Sequence, residues 1–292
     1  MPTLSDFVLR SPKIPLLGAL ATFLAFVATG VLAYLVPGAQ VRDEATLQGF
    51  QSLDRPRLTP VLDWVSSLAN PSSYGLLGFA LICLALLRRR PRVAVTVAGL
   101  LLVTGLTTRT LKPLLAQPRT SGFDDPTQIA AASWPSGHAT ASMTLALCAI
   151  LVVPARARPT VAALGAAFAI AVGYSIVALG WHFPSDVIGG YLVATTWTLL
   201  AVAGLIATGG TSRATERPPG RVALGLPVVL VASAGLVAAG VALTRPRTVA
   251  DTVLTQPTFA LGAGLIAALA LLVAGLVARL SAGGAGAPVA RR

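Results

Sequence analysis

Residues 14–36 read IPLLGALATFLAFVATGVLAYLV, a continuous apolar run without a charged side chain. A helix that crosses the hydrocarbon core of a bilayer needs about 20 predominantly apolar residues, and this run is long enough. It exceeds the apolar region of a secretory leader, and it lacks a clear A-x-A cleavage site. We therefore interpret it as a retained membrane anchor, which predicts an integral membrane protein.

The composition of the whole chain supports the same interpretation. Of the 292 residues, 55% are hydrophobic and 11% are charged, and the mean hydropathy is +0.78. Soluble domains carry about 25% charged residues, so the composition excludes a soluble enzyme, a disordered tail and a disulfide-stapled secreted domain. The apolar residues suffice for about eight spans. Cys83 and Cys148 lie in apolar runs, which indicates core residues rather than a disulfide or a metal pair.

The predicted fold class is an all-α integral membrane protein. We expect a six-helix core over residues 14–207 and two additional C-terminal transmembrane helices within residues 222–280. A cytoplasmic segment, 1–13, precedes the core, and a basic cytoplasmic linker, 208–221, follows it. The Gly- and Ala-rich tail, 281–292, is expected to be disordered. Small residues in the two additional spans allow close helix packing, either within the chain or in a homo-oligomer.

The boundaries of the spans follow from charged residues, prolines and glycines. Residues 37–59 are polar and are predicted to form a loop. A short interfacial helix at 60–69 is predicted to end at Asn70-Pro71, and a second polar loop is predicted at 111–134. The spans themselves are predicted at 14–36, 72–87, 93–110, 137–153, 160–179, 186–207, 222–243 and 259–280.

The positive charge is distributed unevenly between the two sides of the membrane. With a cytoplasmic N-terminus, 14 of the 22 Lys and Arg residues but only 2 of the 10 acidic residues fall in cytoplasmic segments. Cytoplasmic loops carry an excess of Lys and Arg, so we expect both termini in the cytoplasm. The net charge of +12 therefore reflects topology. Because motifs of interleaved aromatic and basic residues are absent, it does not indicate nucleic-acid binding.

Both histidines of the chain are predicted on the opposite, extracytoplasmic side. His138 and His182 lie at the outer ends of predicted spans, and Lys112 lies on the same side with Arg109 and Arg119. Taken singly, the cations could be snorkelling anchors and the histidines interfacial residues. Scarce ionisable residues that gather on one membrane face indicate a functional site, and this clustering favours the second interpretation.

Two local patterns suggest the chemistry of such a site. His182 and Asp186 are four residues apart, so on a helix they would share a face, and the carboxylate would fix the tautomer of the imidazole and raise its basicity. The stretch 135–138 reads PSGH at another helix start, where backbone N–H groups and the Ser136 hydroxyl form an anion site. Gly137 permits close approach, and the nearby cations add the positive charge that a phosphoryl group requires.

These residues resemble three motifs of the type 2 phosphatidic acid phosphatase superfamily, the membrane lipid-phosphate phosphatases related to vanadium haloperoxidases. The resemblance covers the six-span core. Thr120 stands where the first motif has a proline, and Ile176 stands where the third motif has an arginine that contacts the phosphate. The matching residues are Lys112 and Arg119 in the first motif, Pro135 to His138 in the second, and Ser175, His182 and Asp186 in the third.

The resemblance implies a membrane lipid phosphatase. It implies that His182 attacks phosphorus to form a phosphohistidine, that Asp186 orients His182, and that His138 protonates the leaving lipid oxygen and then activates water. The implied phosphate-binding residues are Lys112, Arg119, Ser136 and Gly137, with Arg109 and Ser175 as accessory residues. No cofactor or metal is expected, because the motifs contain no ligand set of metal-site spacing.

The implied substrate is a lipid phosphate or diphosphate, such as a polyprenyl diphosphate or a phosphatidate-like lipid. An active site on the outer face of the cell membrane suits the turnover of a carrier lipid in bacterial envelope synthesis. Two alternatives remain open: a catalytically silent homologue that binds anionic lipid or a partner, which Ile176 favours, and a lipid phosphotransferase. Trp134 and Trp181 are expected in an interfacial belt, or as walls of the substrate entrance. Asp124 and Asp125 are expected in a solvated turn rather than a cation site.

Overall fold

The computed structural model describes residues 11–52, 56, 58–117, 129–209 and 255–282. Within these ranges the backbone forms helices and no strand, which confirms the predicted all-α class. The predicted span at 222–243, residues 210–221 of the predicted linker and the tail beyond residue 282 lie outside the described residues. The helices are α1 Lys13–Leu35, α2 Pro37–Gln51, α3 Thr59–Ser67, α4 Pro71–Leu87, α5 Pro91–Leu114, α6 Gly137–Val152, α7 Arg158–Ala178, α8 Pro184–Ala207 and α9 Pro257–Ala282.

Membrane-spanning potential is shared among most of these helices. In the described part of the chain, five helices are long and apolar enough to cross a bilayer: α1, α5, α7 together with the preceding short turn Ala155–Ala157, α8 and α9. The helices α3 and α4 qualify together, as a pair bent by 48° at a short break. The break lies at Asn70-Pro71, because a proline at the first position of α4 cannot continue the hydrogen bonding of α3. The predicted interfacial helix and second span are therefore the two arms of one bent element.

Hydrogen bonds between helix ends define the two ends of the bundle. The Arg90 guanidinium donates to the carbonyl of Leu151 at 3.1 Å, so the start of α5 lies beside the end of α6. The Arg92 guanidinium donates to the carbonyl of Thr208 at 3.0 Å, which places the end of α8 there too. At the opposite end, the backbone N–H of Ser136 donates to the carbonyl of Asp186, so α6 and α8 begin side by side.

The helix α6 forms the centre of the bundle. Nearly all of its side chains are buried, whereas α1 exposes most of its apolar surface. The core around α6 contains fully buried residues of α5, α7 and α8, among them Val97, Ile176 and Tyr191. The outward-facing leucines and phenylalanines of α1, α4 and α5 are those expected to contact lipid.

The prediction of a loop over residues 37–59 is wrong for most of its length, because residues 37–51 form α2. Pro37 occupies the first position, which suits its fixed φ and missing N–H. Glu44, Leu47 and Phe50 recur every three residues and are buried against the bundle. The polar composition indicated a loop, but several positions of this segment are buried at helical spacing.

Trp134 also departs from its predicted place in an interfacial belt. It is 3% exposed and stacks on Phe26 with ring centroids 4.4 Å apart. A Cβ atom at Gly30 would lie 2.9 Å from this ring, and one at Gly189 would lie 2.8 Å from its Nε1 atom. The ring therefore occupies a gap between α1 and α8 that two glycines keep open, and it anchors the segment just before α6. Trp181, by contrast, is 43% exposed.

The last described helix, α9, packs with one side against α2, α7 and α8. The Tyr174 hydroxyl of α7 donates to the carbonyl of Ala263 at 2.6 Å, and the Arg158 guanidinium donates to the carbonyl of Ser281. A Cβ atom at Gly262 would collide with Thr46 of α2, whereas Gly264 has open space. One of the small residues predicted to permit close packing is thus used within the chain.

Candidate active site

The two residues of the predicted dyad meet at the start of α8. His182 Nδ1 lies 3.1 Å from Asp186 Oδ2, and the Asp186 side chain is fully buried. The same carboxylate oxygen accepts the backbone N–H of Phe183 at 3.1 Å, which caps the first turn of α8. Gly180 has φ +72°, and this left-handed turn makes the short link between α7 and α8 possible. Because Nδ1 is engaged, the Nε2 atom of His182 is the one left for a substrate.

The loop that precedes α6 lies against this dyad. Ser136 is the N-cap of α6, and its buried hydroxyl accepts the backbone N–H of Ala139 at 3.3 Å. Its backbone N–H is bonded to the Asp186 carbonyl, which fixes the distance between the two helix starts. Gly137 has open space on its Cβ side, so a ligand can approach the first N–H groups of α6.

His138 is held by a residue that the sequence analysis noted only as the end of a helix. Its Nε2 atom lies 2.9 Å from Oδ1 of Asn70, at the break between α3 and α4. The other face of the ring approaches Trp181, with ring centroids 5.7 Å apart. Asn70 is the only asparagine in the chain. Because asparagine is so rare in this chain, Asn70 could have been recognised from the sequence in the same way as the two histidines.

A cleft of about 630 Å³ lies beside His138 and is lined by residues of α4, α5 and α6. Lys112, Arg109 and His138 line its polar end. Lys112 is near enough to Asp186 for their charges to interact, and His138 interacts electrostatically with both His182 and Lys112. The rest of the cleft is lined by residues of α4, α5 and α6. They include the exposed leucines Leu102 and Leu106 and four residues with a hydroxyl group, Tyr74, Thr104, Thr108 and Thr140.

A second polar contact, which was not predicted from the sequence, joins α2 to the first turn of α8. Asp43 of α2 accepts the backbone N–H of Ser185 at 2.9 Å and its hydroxyl at 2.5 Å. A carboxylate at this place satisfies a free N–H group of the first turn and opposes the positive end of the helix dipole. The helix that was predicted as a loop therefore positions the segment between His182 and Asp186.

The remaining predicted site residues are not brought to the cleft by the described structure. Arg119, with Thr120, Asp124 and Asp125, lies outside the described residues. Ser175 is buried within α7, and its hydroxyl donates to the Ala171 carbonyl at 2.8 Å. Ile176 is fully buried in the apolar core. Position 176 therefore presents no cation, and among the residues that the structure describes the cations lining the cleft are Lys112 and Arg109.

The assembled groups have the chemical properties that phosphoryl transfer requires. The dyad offers a nucleophilic imidazole nitrogen, and His138 offers a second imidazole for proton transfer. Two cationic side chains and the N–H groups at the start of α6 can neutralise a phosphoryl group. All of these groups lie at the end of the bundle opposite Arg90, Arg92 and Arg158.

Comparisons with known proteins found one family model and one solved structure that are similar to the chain. The family model described as PAP2 superfamily matches residues 93–208, which include α5 to α8 and the three motifs. One solved structure with a similar chain is a transmembrane PAP2-type phosphatidylglycerolphosphate phosphatase from Bacillus subtilis. It is 22% identical with a TM-score of 0.49, over 65% of this chain and 96% of that one. No curated protein matches the chain. The family match confirms the resemblance predicted from the motifs, and residues 93–208 are similar to the PAP2 superfamily.

Proposed function

We propose that this protein is a membrane lipid phosphatase that releases phosphate from a lipid phosphate or diphosphate. The observation that carries the proposal is the cleft, which has Lys112, Arg109 and His138 at one end and outward-facing leucines along its walls. A lipid phosphate has the same division, with a charged head and an apolar chain. A substrate of this kind could place its phosphate at the cations while its chain follows the leucines of α5.

The proposed reaction has two steps. The Nε2 atom of His182 attacks phosphorus, so a phosphorus–nitrogen bond forms while the bond to the lipid oxygen breaks, and His138 gives its proton to that oxygen. A water molecule then attacks the phosphohistidine and gives a proton to His138, and the phosphorus–nitrogen bond breaks. Asp186 keeps the His182 ring in orientation through Nδ1 and stabilises its positive charge during both steps.

Lys112 and Arg109 are proposed to stabilise the transferring phosphoryl group, with Arg119 as a further cation and with backbone N–H groups near Gly137. Removing one such donor typically lowers kcat by about 10²–10³. Because position 176 carries an isoleucine, Arg109 takes the place of the cation that the family motif supplies there. The proposed location is the cell membrane, with the site on the extracytoplasmic face.

Phosphate release by the purified protein tests the proposal. In detergent with a chelator, we expect the wild-type chain to hydrolyse at least one member of a panel of phosphatidate, phosphatidylglycerolphosphate and polyprenyl diphosphate. His182→Ala should abolish turnover, and Arg109→Gln should lower kcat/KM about tenfold or more. Arg156→Gln is the matched control, because Arg156 is exposed at the other end of the bundle.

The alternatives give different results in the same assay. A silent lipid-binding homologue would bind the lipid phosphates without releasing phosphate from any of them. A phosphotransferase would consume the lipid phosphate faster than inorganic phosphate accumulates, and an added alcohol acceptor would carry the missing phosphoryl group. Turnover that survives His182→Ala would refute the proposed nucleophile.

A further inference from the structure

The side chain of Asn70 has an unusual role for its position. Asn70 is the N-cap residue of α4, and asparagine is among the strongest residues for capping a helix with its own side chain. Here that side chain makes no hydrogen bond to the first turn of α4. Its amide oxygen lies instead 2.9 Å from Nε2 of His138, 68 residues further along the chain.

The chemistry of this contact fixes the protonation pattern of the ring. An amide oxygen only accepts hydrogen bonds, so the Nε2 atom of His138 must carry the proton that Asn70 receives. In the neutral ring, Nδ1 is then the acceptor, and in the protonated ring Nδ1 carries the second proton. The nitrogen that faces away from Asn70 is therefore the one that exchanges protons with a substrate oxygen or with water.

The position of Asn70 connects this histidine to the wall of the cleft. Its neighbours Ala69 and Pro71 line the cleft together with His138. The break between α3 and α4 is closed by a separate hydrogen bond, in which the Ser73 hydroxyl donates to the Ser67 carbonyl at 2.9 Å. The bend and the contact to His138 thus depend on different side chains and can be changed one at a time.

We infer that Asn70 is a positioning residue for proton transfer: it accepts the Nε2 proton of His138 and holds the ring so that Nδ1 serves as the acid and base. This inference rests on the proposed function for the role of His138. Asn70 itself exchanges no proton with the substrate. Its effect therefore depends on how strongly the leaving oxygen needs a proton, and this dependence separates it from a residue that only supports the fold.

The kinetic test compares two leaving groups in the full-length protein. With a short-chain phosphatidate, whose alkoxide leaves poorly without a proton, we expect Asn70→Ala to lower kcat/KM about ten- to a hundredfold, which is a part of the 10²–10⁴-fold contribution of general acid catalysis. With p-nitrophenyl phosphate, whose phenolate leaves without a proton, we expect kcat/KM to change less than about threefold, because kcat/KM does not include the later hydrolysis of the phosphohistidine. Asn70→Asp retains an acceptor oxygen and should keep most of the activity on both substrates.

Ser73→Ala is the control for the bend, because it removes the hydrogen bond across the break and leaves Asn70 in place. We expect it to affect both substrates equally, if at all. An equal loss on the two substrates in Asn70→Ala, like that in Ser73→Ala, would overturn the inference. If His138→Ala itself shows no dependence on the leaving group, the proposed role of His138 fails first, and that result is separate.

A measurement without turnover tests the contact directly. The chain has two histidines, so in His182→Ala protein with ¹⁵N-labelled histidine the ring signals come from His138 alone. We expect an Nε2–H correlation that is protected from solvent exchange, and we expect Asn70→Ala to remove this protection while Ser73→Ala retains it. Loss of protection in Ser73→Ala, or its persistence in Asn70→Ala, would contradict the inference even for an inactive protein.

Discussion

At the scale of single residues, Ile176 is the clearest difference between the chain and its family motif. The sequence shows the substitution but gives no indication of the surroundings. The structure places Ile176 fully buried in the apolar core, near the end of α7. In the described part of the chain, the cations on the cleft come from α5, where Arg109 and Lys112 lie one turn apart.

Restoring the motif arginine is expected to damage the protein. A guanidinium at position 176 would enter a well-packed apolar cluster, and a buried charge without a partner is costly. We expect Ile176→Arg to lower the apparent Tm in detergent by about 5 °C or more and to leave the rate no higher than in the wild type. Ile176→Met, which conserves volume, is the control and should cost little. A stable Ile176→Arg protein with increased turnover would show that the missing arginine limits the reaction.

At the scale of elements, the contribution of α2 was the least predictable feature. A stretch with Arg42, Asp43 and Glu44 has no apolar run, so its composition indicated a loop. Its buried positions are spaced for a helix, but only the contacts show what that helix does. Asp43 reaches the first turn of α8 across 142 residues of sequence, and no local pattern predicts such a pair.

Removing the Asp43 carboxylate should therefore reduce catalysis through the dyad. Asp43→Ala leaves the Ser185 N–H without its acceptor and allows the first turn of α8 to loosen. The orientation of the Asp186 carboxylate toward His182 depends on that turn. We expect kcat to fall about tenfold while KM changes less than about twofold, because interactions made mainly in the transition state act on kcat.

The controls for this prediction separate position from charge. Asp43→Asn keeps an oxygen for the Ser185 N–H and should retain activity within about threefold, since capping oxygens of Asn and Asp are nearly equivalent. Asp63→Ala removes an exposed carboxylate of α3 and should have no effect. A rise in KM with unchanged kcat in Asp43→Ala would indicate a role in substrate binding instead.

At the scale of the whole molecule, the ends of the bundle agree with the charge pattern of the sequence. Arg90, Arg92 and Arg158 are brought to one end by hydrogen bonds, and the histidines and Lys112 are brought to the other. The apolar spans, the helix starts and the His182–Asp186 contact were predictable because each follows from local spacing. Asn70, Asp43 and the burial of Trp134 were not, because each depends on packing between distant helices.

The orientation of the bundle can be tested by labelling. In a variant with Cys83 and Cys148 replaced by alanine, a cysteine at Ser52 lies near the end of the bundle that carries the site, and one at Arg156 lies at the other end. With the site end outside, as the positive-inside rule predicts, an impermeant maleimide should label Ser52→Cys on intact cells. It should label Arg156→Cys only after lysis, and the reverse pattern would place the site on the cytoplasmic face.

The short central helix has a consequence for hydration. Sixteen residues of α6 rise about 24 Å, less than the roughly 30 Å of hydrocarbon in a bilayer. We expect Arg90 to lie at one membrane surface; since Arg90 bonds to the end of α6, this would place the first turn of α6 below the opposite surface. A phosphate that reaches His138 must then give up part of its water shell, and Lys112 and Arg109 replace that water with fixed charge. In such surroundings electrostatic attraction is stronger than in bulk water, so depth itself contributes to the reactivity of the site.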